Sequence, residues 1–518
     1  MTVRDWRPSI RVALLASLVP FALLVAWALR APLDLSVGDQ AQYLLHARSL
    51  LEGRDYTDNG YIHYAAVPVS PAAYPPGLPL LIALVQALGG SIMVLRVSMA
   101  CAATAFLYLA GRYLASLEEE WTGPATIVMC GLVPQLALYA TGLYTDFVFS
   151  ALVWACCLLI DRPGPWTRSR IAGLTLCGAV AITFRTAAIA LIPALIVHQL
   201  WRAYRHRESR TRALVPLLVW IIAYVVVDHV YPSTAGYVHQ INGAVADGPA
   251  DLAYVVVARL LVRRLLAYRD LVSLLQLTPT RSNVANTAYH ALALALAAVG
   301  GVLWMRRAGV RFLFCFAAFY VGILLLMPWP ASRFLWPLLP GLWFATLLGA
   351  RYLVESVAPN ARRALTATLA AAGVIALSAR AFGPPPAPLV GIGDLREGRE
   401  LYDVIARMGA RSALRLGFFN PRDAARLPGV SAMSIPYRAP NELLEELASH
   451  QVTHVVAGSM GTDAPGDSAM RRALTERSAS FAKVFANDSF ALYRIVLDPE
   501  LSTRSNGADA TRLFDRRR

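Results

Sequence analysis

The chain has 518 residues, of which 57% are hydrophobic and only 16% are charged, and its mean hydropathy is +0.48. A soluble protein of this length needs more polar surface than this composition supplies, so the repeated long apolar runs predict a polytopic α-helical membrane protein. The net charge of +15 comes almost entirely from arginine, since Lys483 is the only lysine. Because many arginines lie in short loops between apolar runs, they indicate membrane orientation and argue against nucleic acid as a partner.

The six cysteines all fall inside apolar segments. None has metal-ligand spacing with histidine, and none lies in the polar C-terminal region. We therefore expect them to be small buried hydrophobic side chains, with neither a disulfide framework nor a zinc site.

The apolar runs in chain order predict the membrane spans. The first, about residues 12–30, follows Arg4, Arg7 and Arg11, which indicates a cytoplasmic N-terminus and a retained first span. The segment 78–90 is expected to be re-entrant or interfacial, because a crossing helix needs about 20 residues. The remaining predicted spans are about 93–115, 124–142, 146–161, 171–185, 187–201, 213–231, 288–305, 311–327, 334–350 and 363–381.

Arginine placement favours about eleven spans, within a range of about 11–13. If 78–90 does not cross, the basic clusters in 161–170, 201–212, 306–311 and 351–363 all lie in cytoplasmic loops, as the positive-inside rule requires. If it crosses, each of these clusters faces outward. We therefore expect the N-terminus inside and the C-terminus outside a bacterial inner membrane.

The predicted transmembrane domain comprises residues 1–382 and has two large external loops, 31–92 and 232–287. The second loop contains a basic amphipathic run, 251–277, typical of a helix lying in the membrane interface.

A Pro-rich linker, 383–390, should lead into a soluble domain at 391–498. Helical and strand patterns alternate through that domain, which predicts a small α/β fold ending in a hairpin. The polar tail, 499–518, has the composition of a disordered segment.

Charged residues collect at the predicted external ends of the spans, and charges beside apolar segments are costly and commonly functional. The alternative for each one is simple solvation among lipid headgroups. The candidates are Asp34 and Asp39 after the first span, Asp146 in "LYTDFVFS", Arg185 in "ITFRTAA", Asp228 and His229 ending a span, and Arg333 in "PWPASRFLWP".

Several of these segments resemble those of GT-C fold glycosyltransferases, in the branch of dolichyl-phosphate-mannose protein mannosyltransferases and lipid A aminoarabinose transferases. The segments "GDQAQYLLHARSLLEG" and "AAYPPGLPLLIAL" resemble the first external loop of that family. Three further segments resemble its later turns, in the same order along the chain: "YTDFVFSALVW", "ITFRTAAIALIPALI" and "SRFLWPLLP". The resemblance covers roughly residues 10–380.

Two departures from the family pattern concern this first loop. The family's acidic pair is here Asp39 followed by Gln40, so only the aspartate carries over. The Glu-Lys-Pro of the lipid A branch is replaced by "AYPPG" at 73–77, which argues against an aminoarabinose donor.

The resemblance implies transfer of a sugar, with inversion, from a polyprenyl-phosphate donor to an envelope acceptor that is a lipid, a glycan or a protein. By position Asp39 is the implied general base. Arg333 and Arg185 would bind the donor phosphate, because guanidinium groups match phosphate oxygens.

Other residues carry weaker expectations. Asp146 would be a second acid that orients the acceptor, holds an arginine or helps to bind a metal; its alternative role is a helix N-cap. Tyr43, His46 and Tyr74 are candidates for lining the cleft, although a lone histidine beside an acid is more often structural. No cofactor is required, and divalent metal dependence is left open.

Two other functions fit parts of this pattern. A transporter or flippase for a lipid-linked saccharide also has many spans and embedded charges, but the sequence shows no convincing internal repeat. A non-catalytic scaffold of envelope assembly does not account for an acid at the head of the first loop together with arginines at later turns.

Overall fold

The computed structural model describes residues 8–30, 33, 38–63, 74–117, 121–131, 133–206, 211–231, 261–265, 283–327, 331–357, 392–458 and 465–496. These residues are mostly helical and include one five-stranded sheet. The chain divides into two compact units. We call residues 1–33 with 72–388 the helical unit, and residues 34–71 with 389–518 the sheet unit.

The α-helices up to residue 357 are numbered in chain order, and α2 is the one that belongs to the sheet unit. They are α1 (Pro8–Ala28), α2 (Gly38–Leu51), α3 (Gly77–Ala87), α4 (Ile92–Ala115), α5 (Thr122–Gly131), α6 (Pro134–Ala140), α7 (Asp146–Asp161), α8 (Arg168–Phe184), α9 (Leu191–His206), α10 (Thr211–Val230), α11 (Asn283–Ala308), α12 (Phe312–Leu326) and α13 (Leu339–Val357). Short 3₁₀ helices, Thr186–Ala190 and Ser332–Leu335, precede α9 and α13.

The protein is a multi-pass membrane protein. Among the described residues, four helical segments are long and apolar enough to cross a bilayer: Arg11–Ala28, Ile92–Ala115, Thr186–Arg205 and Ala213–Val230. Helix α3 has 11 residues and would extend about 16 Å, which is too short to cross and agrees with the expectation for 78–90. The total of about eleven spans remains a prediction.

One predicted span is interrupted. The sequence predicts a continuous span at 124–142, whereas the structure ends α5 at Gly131 and begins α6 at Pro134, with Val133 extended between them. Proline disfavours helical conformation in the residue before it and cannot donate the backbone hydrogen bond of a helix interior, so it commonly opens a new helix.

Several predicted segments lie outside the described residues: the span 363–381, the linker 383–390, the tail 499–518, Asp34, and all of 251–277 except 261–265, which is helical.

The helical unit has an aromatic core. Trp154, Trp220 and Trp336 are among its largest fully buried side chains, and the indole N–H of Trp220 donates to the Thr175 carbonyl at 3.1 Å. All six cysteines are free, as the sequence predicted. Cys101 is exposed and Cys177 is only partly buried, so the expectation that all six are buried was wrong for these two.

The sheet unit consists of a mixed sheet with short helices around it. The strand order is β2-β1-β3-β5-β4; β1 pairs in parallel with β2 and β3, while β5 is antiparallel to β3 and β4. Its elements after residue 390 are α14 (Arg396–Arg411), β1 (Leu414–Gly417), α15 (Pro421–Ala424), β2 (Val430–Met433), α16 (Pro440–Ser449), β3 (His454–Gly458), α17 (Pro465–Glu476), β4 (Phe481–Ala486) and β5 (Phe490–Ile495).

The alternating helices and strands and the final hairpin agree with the sequence analysis. Strand β2 was not predicted, because four residues after a turn carry too little periodicity to be recognised.

A segment from the first external loop completes the sheet unit. Tyr61 forms a parallel bridge with Ala432 of β2: the Ile62 N–H donates to the Ala432 carbonyl at 2.8 Å, and the Ala432 N–H donates to the Gly60 carbonyl at 2.8 Å. Leu45 and Tyr61 are buried in the same hydrophobic cluster as Leu416 of β1. The sequence analysis grouped this loop with the transmembrane domain, whereas the structure packs residues 38–63, the first-loop segment, with the C-terminal residues.

We predict that Gly60→Ala destabilises the sheet unit more than Gly53→Ala does. Both glycines have positive φ, +82° and +66°, so either substitution should cost about 1 kcal/mol of backbone strain. A Cβ on Gly60 would also lie 3.2 Å from the Val430 carbonyl oxygen, whereas a Cβ on Gly53 meets nothing within 4 Å. Pulse proteolysis in urea, followed with a C-terminal epitope, measures the two midpoints; equal midpoints would contradict the packing described for the first-loop segment.

Candidate functional site

Asp39 lies in the first turn of α2, where the helix dipole stabilises a carboxylate. Its Oδ1 lies 3.4 Å from Nη1 of Arg422, and the two side chains are 19% and 13% exposed. The Arg422 guanidinium also lies over the Tyr61 ring, 5.1 Å from its centre. The sheet unit therefore brings the acid predicted from the first loop together with an arginine of the C-terminal region.

The short helix α15 that carries Arg422 is anchored by the next residue. Asp423 accepts a hydrogen bond from the Tyr402 hydroxyl at 2.8 Å and another from Arg426 at 3.0 Å. Burial, followed by the Asp423 charge, raises the pKa of Tyr402, so this hydroxyl stays a donor at physiological pH. Arg48 of α2 adds hydrogen bonds to the carbonyls of Ala425 and Arg426 at 3.0 and 3.1 Å.

His46 is fully buried, and its ring stacks on that of Tyr56 with centres 4.1 Å apart. Its Nδ1 lies 2.7 Å from the Tyr56 carbonyl, which can only accept, so Nδ1 carries the proton. Nε2 then accepts from the Gln42 amide at 3.0 Å. Both ring nitrogens are used inside the unit, which favours the structural role that the sequence analysis had left open. Tyr43, also on α2, is buried.

The helical unit holds a second charged group at the start of α7. Asp146 is 3% exposed and forms an ion pair with Arg185, which follows the last residue of α8. The N-cap position of α7 is Thr145, not Asp146, so the capping role considered from sequence is not the one that Asp146 has. An apolar environment makes such a pair strongly interdependent, since either charge alone would be costly to bury.

Arg333 and Phe334 join this group through the short 3₁₀ helix before α13. The guanidinium carbons of Arg185 and Arg333 lie 4.7 and 5.3 Å from the centre of the Phe334 ring, and Arg333 also lies 5.1 Å from the centre of the Tyr144 ring. We call Tyr144, Asp146, Arg185, Arg333 and Phe334 the Asp146 cluster. It contains two guanidinium groups and one carboxylate, a balance that suits an anion.

Two hydrogen bonds fix the turn that carries Arg333. The Tyr320 hydroxyl of α12 donates to the Phe334 carbonyl at 2.8 Å, and the Trp154 indole of α7 donates to the Pro337 carbonyl at 3.0 Å. These buried donors satisfy carbonyls that the turn cannot pair internally. The position of Arg333 is therefore set by two neighbouring helices.

The "YPPG" turn reaches the same region through α8. A Cβ on Gly77 would lie 2.7 Å from the Thr183 carbonyl oxygen and 2.8 Å from the Phe184 ring, and these two residues immediately precede Arg185. Only glycine allows this approach. Tyr74, at the start of the turn, is buried.

The helical unit thus brings together Asp146, Arg185 and Arg333, which the sequence had singled out separately, and the sheet unit holds Asp39, Tyr43 and His46. Sequence reasoning missed Arg422, Tyr144 and Phe334. Within the described ranges, no group of three or more His, Cys, Asp or Glu side chains is arranged to hold a metal ion.

Known structures with similar folds were found, although no protein-family model and no curated protein matches the sequence. The apo oligosaccharyltransferase of Archaeoglobus fulgidus aligns over 86% of this chain and 69% of its own, with 11% identity and a TM-score of 0.53. Its complex with an inhibitory peptide and a dolichol-phosphate, named AglB, aligns over the same shares with 11% identity and a TM-score of 0.51.

This protein has the GT-C fold. The fold predicted from the sequence resemblance is thereby confirmed. ArnT from Cupriavidus metallidurans bound to undecaprenyl phosphate aligns over 94% of this chain and 98% of its own, with 12% identity. The TM-score of this alignment is 0.41.

We predict strong coupling between Asp146 and Arg185. Asp146→Asn alone leaves a buried guanidinium without its carboxylate and should lower the stability by about 3–5 kcal/mol. The double variant Asp146→Asn/Arg185→Gln removes both charges and should be less destabilised than the sum of the single variants. Melting curves of the three purified variants in detergent measure this coupling. Additive losses would mean that the two side chains do not stabilise each other.

Proposed function

We propose that the protein is a membrane glycosyltransferase that transfers a sugar, with inversion, from a polyprenyl-phosphate donor to an envelope acceptor. The observation that carries this proposal is the Asp146 cluster, in which two arginines converge on one ring at an end of a GT-C helix bundle. The AglB structure of the same fold was solved with a dolichol-phosphate and an inhibitory peptide. A lipid-linked phosphate is the ligand class that accounts for both.

In this proposal Arg185 and Arg333 bind the phosphate of the donor. As the bond to the anomeric carbon breaks, negative charge develops on the departing phosphate, and forked N–H donors stabilise it. Each guanidinium carbon lies about 5 Å from the Phe334 ring centre, so the two carbons are at most about 10 Å apart. Asp146 holds Arg185 in place, and its carboxylate offsets one of the two guanidinium charges of the cluster.

Asp39 acts as the general base that removes the proton of the acceptor hydroxyl or amine. A base must be ionised to accept a proton, and the facing Arg422 guanidinium favours the ionised form. The Arg422 Nη1 lies 3.4 Å from Asp39 Oδ1, so the two side chains are adjacent. Arg422 is then a positioning residue: it orients the carboxylate and does not touch the reacting atoms.

The orientation proposed is that predicted from arginine placement, with about eleven spans in a bacterial inner membrane and the C-terminus outside. A polyprenyl-linked sugar would then be used on the extracytoplasmic face. The acceptor would be a component of the cell envelope.

We predict that Asp39→Asn lowers turnover by about a hundredfold to ten-thousandfold, the usual effect of losing a general base, while the protein still folds. Asp58→Asn, in the same first-loop segment, is the control and should leave the rate unchanged, since the Asp58 contacts that hold this segment come from its backbone carbonyl. Transfer from a radiolabelled polyprenyl-phosphate sugar measures both rates. Near-normal turnover of Asp39→Asn would exclude Asp39 as the base. Absence of transfer by the wild-type protein would instead favour a flippase.

The role of Arg422 is tested in the same assay. Arg422→Gln should lower kcat with little change in the KM for the donor, and Arg422→Lys should recover part of the loss because it restores the charge. If Arg422→Gln and Arg422→Lys lower the rate equally, and each lowers the melting temperature in parallel with the rate, Arg422 has a purely structural role.

We predict that Arg333→Lys weakens donor use far more than stability. Lysine cannot offer two parallel N–H donors, and loss of a bidentate charged contact should cost about 2–4 kcal/mol, or about thirtyfold to several hundredfold in kcat/KM. Arg306→Lys, at the end of α11, is the matched control. Donor titrations beside melting curves distinguish the two effects, and unchanged donor kinetics in folded Arg333→Lys would remove it from the phosphate site.

The proposed orientation predicts that a reporter fused after residue 518 is active only outside the cytoplasm. Alkaline phosphatase, which needs export, should be active at this position, and a cytoplasmic reporter such as green fluorescent protein should be dark. The reverse result would place the C-terminus inside and require an even number of spans.

A further inference from the structure

A basic cavity lies at the opposite end of α7 from the Asp146 cluster. Helix α7 has 16 residues, so its two ends are about 24 Å apart. The cavity, of about 220 Å³, is lined by Asp161, Arg162, His198, Trp201, Arg202 and Arg311, among others. These residues come from the end of α7, from one face of α9 and from the residue before α12.

Asp161, the one carboxylate among the described residues that line this cavity, is already engaged. Asp161 accepts from the Tyr113 hydroxyl at 2.6 Å and from the Phe312 backbone N–H at 3.2 Å, and it lies 3.3 Å from His198 Nε2. Three arginines accompany this one acid among the described lining residues, so that part of the lining carries a net positive charge. That balance favours an anionic ligand.

Two buried nitrogens in the lining have no hydrogen-bond partner: His198 Nδ1 and Arg311 Nε. His198 is 1% exposed, and buried polar atoms in folded proteins are nearly always paired. The Arg311 Nε–H can only donate, which calls for an acceptor. Inorganic phosphate supplies acceptor oxygens and, when protonated, a hydroxyl. A phosphatidylglycerol headgroup supplies acceptor oxygens from its diester and hydroxyl donors from its glycerol, so either ligand can pair with both nitrogens.

Arg170, which lies near this cavity, has a structural role. Arg170 is buried and donates to the carbonyls of Leu159, Ile160 and Arg162, which satisfies the end of α7. A general preference for arginine at this end of the bundle does not explain why three of them line one cavity beside a buried histidine.

We propose that this cavity binds a phosphate group, as a second anion site separate from the one proposed for the donor. The phosphate comes either from an anionic phospholipid headgroup or from a soluble phosphate. Arg311 and Arg202 supply the charge, and His198, held by Asp161, supplies the buried contact.

The test uses the full-length protein after delipidation in a neutral detergent. The probes are phosphatidylglycerol, phosphatidylcholine and inorganic phosphate, and binding is measured by native mass spectrometry for the lipids and by melting-temperature shift for phosphate. Arg202→Gln/Arg311→Gln is compared with Arg168→Gln/Arg306→Gln, which removes the same charge from the same end of the bundle. Arg168 begins α8, and Arg306 lies in the last turn of α11.

We expect the cavity variant to lose at least tenfold in affinity for the bound probe, and the control variant to stay within about twofold of the wild type. Preference for phosphatidylglycerol without a phosphate response assigns the ligand to a headgroup, and a phosphate response assigns it to a soluble phosphate. Equal losses in both variants, or no selective binding by the wild type, would overturn the proposal.

Wild-type protein supplies a second measurement in case the cavity variant fails to fold. Phenylglyoxal modifies accessible arginines, and the modified positions are mapped by mass spectrometry. The probe that binds should protect Arg202 and Arg311 but not Arg168 or Arg306; uniform protection, or none, would overturn the proposal.

Discussion

The buried ion pair between Asp146 and Arg185 is the constraint on which the end of the helical unit depends. Neither charge could stay in this apolar setting alone, so the start of α7 and the end of α8 must meet. That meeting places Arg185 over Phe334 and leaves only a glycine-sized space where α3 begins. The turn carrying Arg333 is then held against the same two helices by Trp154 and Tyr320.

Arginines of the described residues are held in two ways. Arg96 donates to the carbonyls of Ala28, Leu29 and Thr141, and Arg170 does the same at the end of α7. Their donors satisfy chain ends that lack intrahelical partners. Arg185, Arg333 and Arg422 lie over aromatic rings, whose faces stabilise a cation electrostatically. Arg170 combines both settings, because its guanidinium also lies over the Trp166 ring.

The sequence was most informative at charged residues, because placing a charge beside apolar segments costs free energy. Asp146, Arg185 and Arg333 could be singled out because charge beside apolar runs is costly, but their convergence depends on helix packing that local pattern does not encode. Phe334 and Tyr144 lie within quoted segments but were not singled out, since aromatic residues are common in any span. Arg422 lies in a polar region rich in arginine, where a further arginine does not stand out.

The pairing of Tyr61 with Ala432 joins distant segments, and periodicity within a strand says nothing about its partner. Pro134, by contrast, was a visible helix breaker that the span prediction passed over.

The interlocking of the first-loop segment with the C-terminal residues has a consequence for biosynthesis. Asp39 and Arg422 are 383 positions apart, and at about 5–20 residues per second the ribosome needs roughly 20–75 s to deliver the second after the first. During that interval α2 has been made, but β1 and β2 have not, so Leu45 and Tyr61 have no core to enter. During this interval the apolar side chains of Leu45 and Tyr61 lack the packing that β1 and β2 provide. A polypeptide that ends before residue 430 never gains that packing. The packing around Asp39 therefore forms only after translation has passed β2.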